Sequence, residues 1–290
     1  VTARPAARPL LAAAGVTLAS LVLAACGGGS SDTDTRADTS GSSEMLSHVH
    51  GLGVDPADGR AYVATHNGLY TVAKEQKPKL VGDRKDDFMG FTVTGKNTFI
   101  ASGHGAPGSD RPGNLGAIET KDAGRTWTSR SLSGEADFHS LNSVKDTVYG
   151  YESGQVKVSG DLKSWEGRAK LDALDLAADP TGNDTLLATT AEGVVASTDG
   201  GRTFDKGAGP VQAFLSWPVE KALFGIDPAG KLSRSADGGR TWKQLSAVPG
   251  GQPQALTAVD ADHVLAATQT GVYESRDGGK TFTELAPLTS

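Results

Sequence analysis

The sequence has a single cysteine, Cys26, so no internal disulfide can form. It has no excess of positive charge. Twenty-eight basic residues stand against 34 acidic ones, a net charge of −6, and setting aside Arg4 and Arg8 leaves −8. Without a basic patch, nucleic acid is not an expected partner. Long hydrophobic runs are also missing. The apolar stretch Leu10 to Leu23 is about 14 residues, short of the ~20 that a membrane-spanning helix needs. There is no G-x-S-x-G elbow, no Walker loop and no Cys–His pair, which removes the common nucleophile and nucleotide motifs. Methionine is scarce, with only Met45 and Met89.

At the N-terminus, Arg4 and Arg8 precede the apolar stretch, which ends in Leu23-Ala24-Ala25-Cys26. This order of basic, apolar and small residues before a Cys resembles a bacterial lipobox. The resemblance implies a signal peptide over 1–25, cleaved before Cys26, with a lipid on Cys26. Residues 26–45, mostly Gly, Ser, Thr and Asp, cannot bury a core and read as a flexible tether. The expected location is the outer face of a cell membrane, with the membrane itself a partner through the lipid. A folded domain is expected over 46–290.

Within 46–290 a motif repeats. Thr120–Trp127, Ser197–Phe204, Ser235–Trp242 and Ser275–Phe282 match S/T-x-D-x-G-x-T-W/F, and Ser159–Trp165 is a version one residue shorter. Their first residues are 39, 38, 38 and 40 apart. The Asp and Gly favour a tight turn, and the Thr and aromatic favour a strand after it. A period near 40 residues with about four short strands per unit is the pattern of a propeller blade. These segments resemble the BNR/Asp-box repeats of sialidases, sortilin-type receptors and photosystem assembly propellers. The resemblance implies a structural role for Asp122, Asp161, Asp199, Asp237 and Asp277, on the face away from any active site. The opening His48-Val49-His50-Gly51-Leu52-Gly53-Val54-Asp55-Pro56 is also similar to a group of exported Asp-box propellers labelled glycosyl-hydrolase-like, which points to the same architecture.

Six stacked pairs of strand-like runs can be drawn, the first without a box. Residues 46–290 accommodate about six periods, and the surplus is close to the extra length in the loop after His104. The expected fold is an all-β, six-bladed propeller of four-stranded blades, with seven blades as the alternative.

In such a blade the start of the innermost strand and the loop after the second strand share one face. The first position of the innermost strands reads His50, Met89, His139, Leu174, Ala213 and Gln254. Two residues earlier, on the same side of the strand, stand His48, Asp87, Asp137, Asp172, Val211 and Gln252. The loops after the second strands of blades one and two bring His66 and His104. Five of the six histidines therefore collect at one mouth, while His263 falls in an opposite turn. Imidazoles, a thioether and carboxylates together point to a transition metal, held by His50, Met89 and His139 with His48, His66, His104 or Asp137 as further ligands or orienting groups. Copper is favoured by the thioether, and zinc is the alternative that needs only His and Asp.

The sialidase resemblance would bring three arginines, a Tyr nucleophile with a Glu partner, and an Asp acid/base. The top-face columns carry no arginine; Arg111 lies in the loop after His104, Arg60 in an opposite turn, and Tyr149, Tyr151 and Glu152 do not complete the set. A glycosidase carboxylate pair could come from Asp137 and Asp172, at equivalent positions in adjacent blades. The sequence thus favours a metal-binding propeller over a glycoside hydrolase. A scaffold or assembly factor that docks a protein on the top face is the further alternative, and the loop after His104 suits any of the three.

Overall fold

In the computed structural model of the protein, residues 46–207 and 209–288 are described. The signal and tether expected over 1–45, including Cys26 and Met45, lie outside the described residues.

Twenty-three strands form six antiparallel sheets in strict chain order. The first is β1 (Val49–Val54), β2 (Ala61–Thr65), β3 (Gly68–Val72) and β4 (Lys79–Leu80). The second is β5 (Asp87–Gly95), β6 (Thr98–His104), β7 (Ala117–Thr120) and β8 (Thr128–Ser131). The third is β9 (Ser140–Val144), β10 (Thr147–Glu152), β11 (Gln155–Ser159) and β12 (Glu166–Lys170). The fourth has β13 (Leu176–Ala178), β14 (Leu186–Thr190) and β15 (Gly193–Ser197). The fifth is β16 (Phe214–Val219), β17 (Ala222–Ile226), β18 (Lys231–Ser235) and β19 (Lys243–Ala247). The sixth is β20 (Pro253–Ala258), β21 (Val264–Thr268), β22 (Gly271–Ser275) and β23 (Thr283–Pro287). The first strands of successive sheets pack side by side, and β1 meets β20, which closes the ring. This is a six-bladed β-propeller.

Blade four departs from the expected four strands. Its outer segment carries Gly207, Gly209 and Pro210, and the proline has no N–H to give to a ladder. The backbone there touches β15 only in places. Asp205 N donates to Ala196 O, Ala196 N donates to the Asp205 side chain, and Val194 N donates to Pro210 O.

The core lies between blades. Tyr62, Ala64 and Leu69 of blade one pack with Phe88, Phe91, Phe99 and Ile118 of blade two. The sheets approach so closely that Gly90 leaves no room for a side chain: a Cβ there would lie 2.4 Å from Phe138 O. The aromatic after each of two turns anchors its blade. Trp127 packs on Phe88 with ring centroids 5.3 Å apart, and Trp165 on Phe138 at 4.5 Å. Pairs of this kind contribute about 0.5–1.5 kcal/mol beyond their area. The seam between first and last blades is held by Val49 N donating to Gln254 Oε1, Thr257 Oγ1 donating to Leu52 O, and a short parallel bridge between Leu46 and Leu288.

The five S/T-x-D turns share one hydrogen-bond pattern. In blade two, Thr120 Oγ1 donates to Asp122 Oδ1, which also accepts from Thr126 N at 2.8 Å, while Asp122 Oδ2 accepts from Thr126 Oγ1 at 2.7 Å. Asp161, Asp199, Asp237 and Asp277 repeat the scheme. These donors hold the carboxyls well below the usual range, to about 2 at Asp161 and Asp237. The turns dock beside the loops that join first to second strands, as where Ala123 N meets Asn97 O, so they lie at the end of the blades opposite His104.

Candidate functional site at the channel mouth

A cavity of about 480 Å³ follows the axis and is lined by all six inner strands. His50 and His139 stand at one end, and Pro56 and Lys145 toward the other. At the histidine end the inner strands share a device. His50, Met89 and Gln254 each sit where the register with the second strand slips by one residue. In blade three His139 and Ser140 both oppose Tyr151; in blade four Leu174 and Asp175 both oppose Thr189; in blade five Ala213 and Phe214 both oppose Ile226. Each is a β-bulge, which bends the strand and re-aims one side chain. All six positions of the column read from the sequence are the extra residues of these bulges.

The bulge in blade two depends on Gly103, which has φ 144° and faces Phe88. A Cβ there would fall 1.9 Å from Asp87 O.

Two groups of polar side chains occupy the mouth. The first joins blades one and two. His50 Nε2 lies 3.2 Å from His66 Nδ1 and 3.6 Å from Asp87 Oδ1, and His66 Nδ1 lies 2.9 Å from Asp87 Oδ2. His50, His66 and Asp87 are the one His/Cys/Asp/Glu group among the described residues with the spacing to hold a metal ion. The His48 ring is 4.8 Å from that of His50 and 5.3 Å from that of His66. Asp87 Oδ1 is buried without a hydrogen-bond partner. Burial, then the neighbouring His66, pushes the His50 imidazole down to about 4, although Asp87 opposes this. His48 is lowered for the same first two reasons. Both rings are therefore neutral, with a lone pair to offer, at neutral pH.

The second group joins blades two and three. Asp137 Oδ2 lies 2.7 Å from His139 Nε2 and 3.2 Å from His104 Nε2. His104 Nδ1 lies 3.1 Å from Gly113 O. Asp137 Oδ1, like Asp87 Oδ1, is buried and unpartnered. The hydrogen bond to Asp137 raises the His139 pKa against the opposing effect of burial.

Thus His50 meets His66 and Asp87, whereas His139 meets Asp137 and His104. Met89 is half-buried at the bulge between them. Asp172 is exposed, and the neighbours of Asp137 are imidazoles. Arg111 is engaged: it donates through Nε to Asp86, a fully buried carboxylate that also accepts from Arg84 and from Ala106 N. This clamp fixes the loop after His104. Asp86 and its role have no signal in the motifs. Asp87 does have one, because it shares the column of Asp137. Asp175 also escapes the sequence reading. It accepts from Ser140 Oγ and Leu215 N, linking the inner strands of blades three and five, and burial pushes its carboxyl up to about 6.

No family model matches the chain, and no curated protein matches it. Solved structures do. A proposed gluconolactonase aligns with a TM-score of 0.62 at 12% identity, over 84% of this chain and 91% of that one. An ancestral GH74 enzyme aligns at 0.54 and 14% identity over 84% of this chain, which spans only 38% of the enzyme's length. YCF48 bound to D1 peptide aligns at 0.52 and 16% identity, over 83% of each chain. At such identities the likeness is one of fold, and it agrees with the propeller seen here.

Proposed function

We propose that this propeller binds a transition metal at the channel mouth through His50, His66 and Asp87, with His48 as the fourth ligand or an orienting neighbour. The observation that carries the reading is the spacing of the donors. Metal bonds of about 2.0–2.2 Å put the ligand atoms of one tetrahedral ion roughly 3.3 Å apart; here the two imidazole nitrogens are 3.2 Å apart, with Asp87 Oδ1 3.6 Å from His50 Nε2 and Asp87 Oδ2 2.9 Å from His66 Nδ1. The orphaned Asp87 oxygen and the neutral His50 ring fit the same role. Two imidazoles and a carboxylate accept Cu(II) or Zn(II), and the usual affinity order places Cu(II) first. The S/T-x-D turns are read as Asp boxes that brace the blades, and the N-terminal segment as a lipoprotein signal that anchors the domain outside the cell through Cys26. The function proposed is extracytoplasmic copper handling or sensing.

A hydrolase is the second reading, which the GH74 and gluconolactonase names suggest. One feature favours it: the His139–Asp137 pair could take a proton beside a metal-bound water. A docking scaffold, as the peptide-bound YCF48 suggests, would leave the histidine mouth without a role.

The test is Cu(II) and Zn(II) titration of the metal-stripped full chain, in a Cys26→Ser background so that the thiol adds no site. His50→Ala/His66→Ala should remove one equivalent of tight binding, weakening it at least about 100-fold. Unchanged stoichiometry and affinity in that variant would overturn the proposal.

A further inference from the structure

The rim of the mouth has two unlike halves. In blades one to three its two columns of positions hold His50, Met89 and His139, and His48, Asp87 and Asp137. In blades four and five the same positions hold Leu174 and Ala213, and Asp172 and Val211, so three of the four are apolar. Blade four stands opposite blade one in the closed ring of six. Leu174 therefore lies across the channel from His50, and both line the one axial cavity.

The exposure of this apolar half stands out. Among the described residues four large apolar side chains are exposed: Leu174, Val211, Val219 and Val259. Leu174 and Val211, at 55% and 45%, share the rim in adjacent blades. Val219 and Val259 lie at the other ends of the inner strands β16 and β20. A solitary exposed apolar residue is ordinary, whereas a pair at the mouth of a cavity is the kind of surface that lines a small-molecule site. The cavity, at about 480 Å³, has the volume of such a site, roughly 300–1,000 Å³.

The polar half supplies the head group's partner. His50, His66 and Asp87 are three donors, and three protein ligands leave the fourth tetrahedral position of Zn(II) to an outside molecule. His50 also lines the cavity, so the ion would sit at the cavity's edge. A single carboxylate against a divalent ion leaves the site with a net positive charge, which suits an anionic head.

We infer that the mouth binds a small organic monoanion with a metal-coordinating head, such as a carboxylate or hydroxamate, and an apolar body that rests on Leu174 and Val211. The inference rests on the reading of His50, His66 and Asp87 as a metal site.

Acetohydroxamate and octanohydroxamate, which share one head, are the probes. Each is titrated by calorimetry into the Zn(II)-loaded and the metal-stripped full chain, in the Cys26→Ser background, with bound Zn(II) measured after each titration. Both should bind the loaded protein, and octanohydroxamate about tenfold or more tightly, as burial of two or more methylenes would give. Leu174→Asn/Val211→Thr should erase that preference while leaving acetohydroxamate affinity, Zn(II) stoichiometry and the near-UV circular dichroism spectrum unchanged. Equal affinity for the two probes, or a preference that survives in the double variant, would overturn the apolar half and leave the metal site standing. Octanohydroxamate binding equally well to the metal-stripped protein would overturn the coordinated head. Absence of Zn(II) binding in the parent would overturn the metal site and this inference with it.

Discussion

His50 couples burial to chemistry. Its pKa is depressed from 6.5 to about 4 in the fold, so between those values the unfolded chain binds a proton that the folded chain does not. Stability of the metal-free protein should therefore fall as pH drops through that window. At ~1.4 kcal/mol per unit the full loss is about 3 kcal/mol. Urea midpoints of chelator-treated protein at pH 7, 5.5 and 4 would measure it, and His50→Gln should flatten the profile. The box aspartates act in the same sense at lower pH. Their depressed pKa values give stability that is present above about pH 4 and lost as pH falls toward 2. Asp237→Ala should lower Tm at pH 7, abolish part of this acid sensitivity and leave metal titrations unaltered. The sequence column brought His50 and His139 to one mouth because a period of about 39 residues aligns equivalent positions of each blade. It did not show that His66 turns to Asp87, or His104 to Asp137, because those contacts cross from the end of one blade's second strand to the start of the next blade's first. That geometry depends on how two sheets pack, which a repeat alone does not specify.

Among the elements, the loop from Gly105 to Gly113 depends for its order on a buried charge. Asp86 has no exposed side-chain surface and is flanked by Arg84 and Arg111. Removing one partner of a buried ion pair costs about 3–5 kcal/mol, because the remaining charges lose their compensation. Asp86→Ala should destabilise by that amount, and limited proteolysis should then cut first between Gly105 and Gly113. Gly103→Ala tests the bulge itself. With a Cβ 1.9 Å from Asp87 O, the strand pair must shift, so both stability and metal affinity should fall, as read by thermal melts and calorimetry. The loop's extra length was plain in the sequence, whereas its anchorage was not. Asp86 belongs to no repeat, and its two arginines come from different connections. Blade four shows the same limit. Its box promised a fourth strand, but Gly207, Gly209 and Pro210 cannot sustain the ladder.

At the scale of the whole molecule, the ring closes between the chain's first and last described strands, and no covalent link crosses that seam. Leu46 is fully buried there and bridges Leu288. Leu46→Ala should cost about 2–5 kcal/mol. Hydrogen exchange should show β1 and β23 losing protection before the strands of blades three and four. The number of blades was legible because the repeat and the length agreed, and sheet order followed from chain order. The bulges were not legible, yet they set which side chains stand at the mouth. Each bulge residue is surplus to the pairing of its strands, so the ladder itself leaves its identity open. Gln254 is held by the seam and Ala213 is buried, whereas Leu174 is exposed. Leu174→His would therefore set a further imidazole on the rim with His50 and His139 without rewriting a single strand pair, and new side-chain chemistry can arise in this architecture one substitution at a time.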